Sequence, residues 1–133
     1  MPQFARPDAD VALGGWTNPS FSVIDEAVAD DLDKTQSPSA PAAAALEVGL
    51  TNVTDPVSST GHILRTRYQK DVAAGAQIDL IVRLVQGVTI ITSNTYANIA
   101  NGWVTTAYTL LAAAADAITD YNDLRVRITA NQV

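Results

Sequence analysis

The chain has 133 residues, which is enough for one domain with a single hydrophobic core. It contains no cysteine, which excludes disulfides, thiolate metal sites and cysteine nucleophiles. The formal net charge of −6 belongs to residues 1–33, which hold seven acids and one base, whereas the rest of the chain is neutral overall. Such a protein is a poor ligand for free nucleic acid, because phosphate binding is driven by excess cationic charge.

The N-terminus also lacks the apolar core of a signal peptide. No run approaches the roughly 18 apolar residues that are needed to cross a bilayer. We therefore expect a protein that is made in the cytoplasm and has no membrane partner.

Residues 1–20 are predicted to form an irregular N-terminal arm, because three prolines and a Gly14-Gly15 pair interrupt any long regular element. Residues 21–133 are predicted to form one folded domain. It begins with a short segment at 21–28, either a strand or a single helical turn. A polar loop follows at 30–41, since this stretch contains Ser-Pro-Ser-Ala-Pro.

From residue 46 onward, apolar and polar side chains alternate with the two-residue period of half-buried strands. The strongest predicted strands cover 46–50, 62–70, 77–86, 88–96, 103–111 and 124–130. One short helix is predicted at 112–118. In total, seven or eight strands at spacings of roughly 10 to 15 residues predict an all-β fold, an antiparallel sandwich or barrel, rather than βαβ units.

The same alternation predicts the inward-facing side chains of these strands. The predicted core consists of Leu46, Val48, Leu64, Tyr68, Ile78, Leu80, Val82, Leu84, Leu124, Val126 and Ile128.

Arginine is concentrated in the predicted strands, which hold five of the eight basic residues: Arg65, Arg67, Arg83, Arg125 and Arg127. If the strand at 62–70 pairs with the strand at 124–130, four guanidinium groups share one solvent-facing surface. Such a face needs carboxylates, either of this chain or of a partner, to offset its repulsion. The alternative is arginine scattered over the surface.

The candidate interface residues are therefore Arg65, Arg67, Arg125, Arg127 and Trp16. Trp16 follows two glycines in the loose arm, where an exposed indole is costly. We expect it to fill a pocket, either on its own domain or on a neighbour.

No catalytic, cofactor-binding or metal-binding residue is predicted. The single histidine, His62, is interpreted as structural, because no nucleophile motif surrounds it. Trp103 is interpreted as a core residue rather than a sugar-stacking one. The acids at 25–33 match no EF-hand, so a solvated acidic loop is preferred to a calcium loop.

Short segments spread over most of the chain carry a resemblance to a known family. They are Gly14-Gly15-Trp16, Ile24-Asp25-Glu26 with Asp30-Asp31, and the stretches 55–65, 78–87 and 117–127. In their order and spacing they resemble small virion proteins of tailed bacteriophages and prophages. The resemblance implies a jelly-roll-like β-sandwich. Together with the strands and the short helix predicted above, the expected fold is a jelly-roll-like antiparallel β-sandwich with an irregular N-terminal arm and one short helix.

The resemblance also implies a structural role as a capsid decoration (cement) protein. Such a protein sits on the outer capsid surface of the virion, binds the major capsid protein and stabilises the shell. We expect it to act as a homo-oligomer, specifically a trimer at local three-fold positions. The alternative is a carbohydrate-binding jelly-roll module of a phage tail or fibre, which uses exposed aromatic residues. No cofactor is expected in either case.

Overall fold

The fold is known from a computed structural model, which describes residues 2–28 and 30–133. These residues form seven strands, one short α-helix and one 3₁₀ turn at Phe21–Val23. The strands are β1 Pro7–Ala12, β2 Ala44–Leu50, β3 Ile63–Tyr68, β4 Ile78–Gln86, β5 Thr89–Tyr96, β6 Val104–Thr109 and β7 Leu124–Gln132; the helix is α1 Ala112–Asp116. No helix in these two ranges is long and apolar enough to span a bilayer.

The strands form two antiparallel sheets. The large sheet has five strands in the order β1-β2-β7-β4-β5, and the small sheet contains β3 and β6. Leu64 of β3 packs against clusters built from β4 and β7, so the inner faces of the two sheets share one core. The prediction of an all-β sandwich with one short helix is confirmed.

The strand pairs are nested along the chain. β4 and β5 form a hairpin through Gly87 and Val88, the β3·β6 pair encloses that hairpin, and the β2·β7 pair encloses both. A further pairing of β4 with β7 joins the innermost and outermost pairs into the large sheet. A complete jelly roll has eight strands, so the finer jelly-roll assignment stays a prediction.

The core lies where alternation predicted it. Six predicted core residues are buried: Leu46, Val48, Leu80, Val82, Leu84 and Leu124. Five are partly buried and pack against the buried clusters: Leu64, Tyr68, Ile78, Val126 and Ile128. Leu110 and Ile118, which flank α1, extend the core beside Leu84.

The N-terminal arm is more regular than predicted. Pro7–Ala12 forms an edge strand that pairs antiparallel with β2, with register shifts between Pro7 and Ala9 and between Asp10 and Ala12. The prediction of an irregular arm over residues 1–20 is therefore wrong for these six residues. Proline is tolerated at the beginning of an edge strand, and the arm becomes regular because β2 offers unpaired backbone groups.

A glycine turn then directs the chain back onto the core. Gly14 has φ +58°, and a β-carbon there would collide with the carbonyl oxygen of Ala45. Only glycine meets both requirements, since it favours the left-handed region and needs the least space. The turn is closed by the Trp16 N–H, which donates to the Leu13 carbonyl at 3.1 Å. The Trp16 side chain consequently packs against the core cluster around Leu80 and Val82.

Candidate functional site

The four candidate interface arginines lie in two different sheets. Arg65 and Arg67 are on β3, which pairs with β6, whereas Arg125 and Arg127 are on β7, which pairs with β2 and β4. The pairing that a single four-arginine face requires does not occur. Since Leu64 and Val126 both contact the shared core, the alternation of each strand directs the two arginine pairs to opposite outer faces of the sandwich.

On the outer face of the large sheet, one buried carboxylate holds two guanidinium groups. Glu47 is only 6% exposed and lies directly opposite Arg127 in the β2·β7 ladder. Arg127 Nε donates to Glu47 Oε1 at 2.8 Å, and Arg125 Nη1 lies 3.6 Å from Glu47 Oε2. A buried carboxylate needs such partners, because desolvation of an unpaired charge is costly.

Two further residues complete this cluster. Asp123 Oδ1 lies 3.4 Å from Arg125 Nη2. Arg83 lies directly opposite Arg127 on β4, and its Nη1 donates to the Thr129 hydroxyl at 3.4 Å. Among the arginines of this cluster, Arg83 is the one without a carboxylate within 4 Å in the described part of the chain.

The outer face of the small sheet is organised around Arg67. Its Nε and Nη2 donate to the two carboxylate oxygens of Asp31 at 2.7 and 2.8 Å, and its Nη1 donates to Thr105 Oγ1 at 3.0 Å. The guanidinium also lies over the ring of Trp103, 5.4 Å from the centroid. The hydrogen bonds from Arg67 lower the pKa of Asp31, and the same contact raises the pKa of Arg67.

The acidic segment that contains Asp31 therefore contacts its own domain. Beside it, burial and then the hydrogen bond that protonated Glu26 donates to Asp33 raise the pKa of Glu26. Within residues 2–28 and 30–133, no group of three or more histidine, aspartate or glutamate side chains is arranged to hold a metal ion.

The remaining candidates, Arg65 and Trp16, differ in their contacts with the rest of the chain. Arg65 is exposed, and none of the ion pairs or side-chain hydrogen bonds of the described residues involves its guanidinium. Trp16 packs into the core of its own domain, and its indole nitrogen is buried without a hydrogen-bond partner among the described atoms. We expected Trp16 to fill a pocket either on its own domain or on a neighbour, and in the structure it packs into its own domain.

His62 is paired with a tyrosine rather than with a nucleophile. Its Nε2 lies 2.7 Å from the Tyr121 hydroxyl, and its Nδ1 is buried without a hydrogen-bond partner among the described atoms. Burial, followed by the charges of Asp55 and Asp116, raises the pKa of Tyr121. A hydroxyl with a raised pKa is harder to activate. The nearby Ser59 hydroxyl donates to Asp116 at 2.6 Å instead of to His62.

Sequence reasoning missed Glu47, although a signal for it was present. Glu47 stands between Leu46 and Val48, two predicted core residues of one strand. Because Leu46 and Val48 face the core, Glu47 faces the outer side of the same strand. If that strand has a neighbour on each side, the carboxylate is partly buried and needs a cationic side chain on a neighbouring strand.

Comparison with known proteins adds no relative. No family model matches the chain, and no similar curated protein or solved structure was found.

Proposed function

We propose that this chain is a structural virion protein of a tailed bacteriophage, a decoration (cement) protein. It binds the major capsid protein on the outer capsid surface, stabilises the shell and associates with further copies of itself. The proposal begins from the resemblance of the five sequence segments described above, which implies a jelly-roll-like virion protein.

The observation that supports it best is the nesting of the strand pairs. A jelly roll is a long hairpin rolled into two sheets, so that its strand pairs enclose one another along the chain. The pairs β4·β5, β3·β6 and β2·β7 follow this order. We interpret this order as that of a shortened jelly roll without one strand pair of the small sheet, and this interpretation supports the proposal. Since a fold alone does not determine function, the capsid-binding role rests on the resemblance and on the experiment below.

Arg65 is the residue that we assign to the capsid contact. Arg67, Arg125 and Arg127 are already bound to carboxylates of this chain. The Arg65 guanidinium is exposed on the small sheet, and a carboxylate of the major capsid protein would complete its pairing. The small sheet would then face the shell.

The experiment measures binding to purified capsid shells that lack decoration. Wild-type protein should co-sediment with shells to a saturating ratio and raise the temperature at which the shells open. Arg65→Glu should bind more weakly, because it places a carboxylate against a carboxylate. Val88→Glu is the control, since it introduces a carboxylate at a residue that is 91% exposed in the β4–β5 hairpin of the large sheet, and it should bind as the wild type does. Wild-type protein that fails to bind shells would refute the proposal.

Deletion of residues 1–20 would not isolate the contribution of the N-terminal arm to capsid binding. The deletion would remove β1 and the packed Trp16 along with the arm. Loss of binding would then follow from loss of the fold. Point substitution at Arg65 avoids this problem because it leaves the core intact.

The carbohydrate-binding alternative needs an aromatic ring with a free face. Trp16 packs into the core, and the Arg67 guanidinium occupies one face of the partly buried Trp103 ring. Titration of tryptophan fluorescence with host polysaccharide should therefore give no saturable change. A saturable response would favour the tail or fibre module over the decoration protein.

A further inference from the structure

The two edges of the large sheet differ in their protection against further pairing. The β1 edge, Pro7–Ala12, contains a proline, two aspartates and two register shifts. Charges, proline and irregular pairing are the means by which proteins block a sheet edge. The β5 edge, Thr89–Tyr96, contains no charge and no proline over its eight residues.

The outer side of β5 makes no backbone hydrogen bond within the described residues, although α1 contacts this strand and packs with Ile91 against the same core cluster near the hairpin end. In an antiparallel ladder, alternate residues direct both their N–H and C=O groups away from the paired strand. β5 pairs with β4, and no other backbone hydrogen bond of the described residues reaches 89–96. About four of its residues therefore present both groups outward. The single irregularity lies next to Ile90, near the hairpin, so Thr92–Ser93–Asn94–Thr95–Tyr96 is a regular strand.

A second copy of this chain fits that edge. If two copies pair through β5 in antiparallel orientation about a two-fold axis, no like charges lie opposite each other, because β5 carries no charge. The same pairing through β1 would bring Asp8 and Asp10 against the identical aspartates of the second copy, which is unfavourable. Since residues directly opposite each other share a face, the inner residues Asn94 and Tyr96 would continue the inner face across the boundary.

We propose that β5 pairs antiparallel with β5 of a second copy, joining two five-stranded sheets into one continuous sheet. This inference deepens the self-association that is part of the proposed function. The contact is isologous, which means that both copies use the same surface, so the oligomer that it builds is a dimer and not the trimer expected from the sequence.

The first test measures oligomeric state by sedimentation of three proteins. Wild-type protein should show a concentration-dependent equilibrium between the 14.0 kDa monomer and a species of twice that mass. Thr95→Lys should raise the dimer dissociation constant by about tenfold or more, because symmetry introduces the new charge twice at the edge. Thr109→Lys makes the same change at an exposed position of β6 and should dimerise as the wild type does.

Two further measurements separate loss of the contact from loss of the fold. Mixing Thr95→Lys with Thr95→Glu should restore dimers, since unlike charges then meet across the edge. Hydrogen exchange of the wild type should show protection of 89–96 that increases with protein concentration, while 7–12 should not change.

A wild type that is monomeric or trimeric, or a Thr95→Lys dimer as tight as that of the wild type, would overturn the β5 contact. These measurements are made on the purified protein without capsid shells. Failure of the β5 contact is therefore distinguished from failure of the decoration role, which the shell-binding experiment decides.

Discussion

The two outer faces of the sandwich use arginine in different ways. On the large sheet, Arg125 and Arg127 share Glu47, whose side chain is 8% exposed. On the small sheet, Arg67 binds Asp31, whose side chain is 39% exposed, and Arg65 has no ion-pair partner among the described residues. Removing one member of a buried ion pair leaves an uncompensated charge, whereas water solvates the survivor of an exposed pair. The large-sheet cluster should therefore matter more for stability than the charged groups of the small sheet do.

Glu47→Gln should have the largest effect. It leaves Arg125 and Arg127 without their shared carboxylate, and Arg83 lies directly opposite Arg127. We expect a loss of about 2 to 3 kcal/mol in the free energy of unfolding, measured by urea denaturation, because the hydrogen bond to a charged group is lost while water solvates part of the two arginines, whose side chains are 29% and 31% exposed. The control is Asp123→Asn, because the Asp123 side chain is 46% exposed; it should change stability by less than about 0.5 kcal/mol. Equal losses for the two variants would contradict the role assigned to burial.

The two arginines that share Glu47 should not be equivalent. Arg127 donates a hydrogen bond of 2.8 Å to Glu47, whereas the closest Arg125 approach is 3.6 Å. Arg127→Gln should therefore cost about 2 kcal/mol of unfolding free energy, since hydrogen bonds to charged groups contribute more than neutral ones. Arg125→Gln should cost less than about 1 kcal/mol in the same denaturation experiment. The reverse order would show that Arg125 is the main partner of Glu47.

Asp31→Asn should have a smaller effect that depends on pH. Arg67 lowers the pKa of Asp31 in the folded state, so folding favours the carboxylate form. The stabilisation by Asp31 is fully present above its ordinary pKa of 3.8 and is lost as the pH falls through the lowered folded value. The difference in unfolding free energy between wild type and variant should shrink in this acidic range. A difference that does not vary with pH would rule out the ion pair as its source.

Arg65→Gln should have the smallest effect on the fold. Its guanidinium is exposed and has no carboxylate partner among the described residues, so stability should change by less than about 0.5 kcal/mol in urea denaturation. Shell binding should weaken in the same protein. A stability loss comparable to that of Arg127→Gln would show that Arg65 has a partner within the chain.

Much of the fold follows from local patterns. The two-residue alternation predicted β2 to β7 within a few residues, because alternation reflects a strand with one buried face and is readable from neighbouring residues. It also predicted that Leu80, Val82 and Leu84 share an inward face. The short helix was predicted separately, at 112–118, and forms at Ala112–Asp116. β1 was not predicted, since its regularity comes from pairing with β2 and its own proline and aspartates argue against a strand.

The sequence identified the arginines of the two outer faces, but not their arrangement or their carboxylate partners. Alternation correctly made Arg65 and Arg67 neighbours on one face of a strand, and did the same for Arg125 and Arg127. It could not show that the two pairs lie on opposite faces, because strand pairing joins residues far apart in the chain. Arg67 and Asp31 are 36 positions apart, and Arg127 and Glu47 are 80 apart.

The amino-acid sequence by itself determined where this chain is extended and which side chains of each strand share a face, since both depend on backbone geometry over a few residues. The tertiary structure alone decided which strands become neighbours. It thereby decided that Glu47 is a buried partner for two arginines, that β1 covers one edge of the large sheet, and that β5 leaves the other edge open. Such pairings depend on closing long loops around one core, and no local pattern records which closure is the most stable.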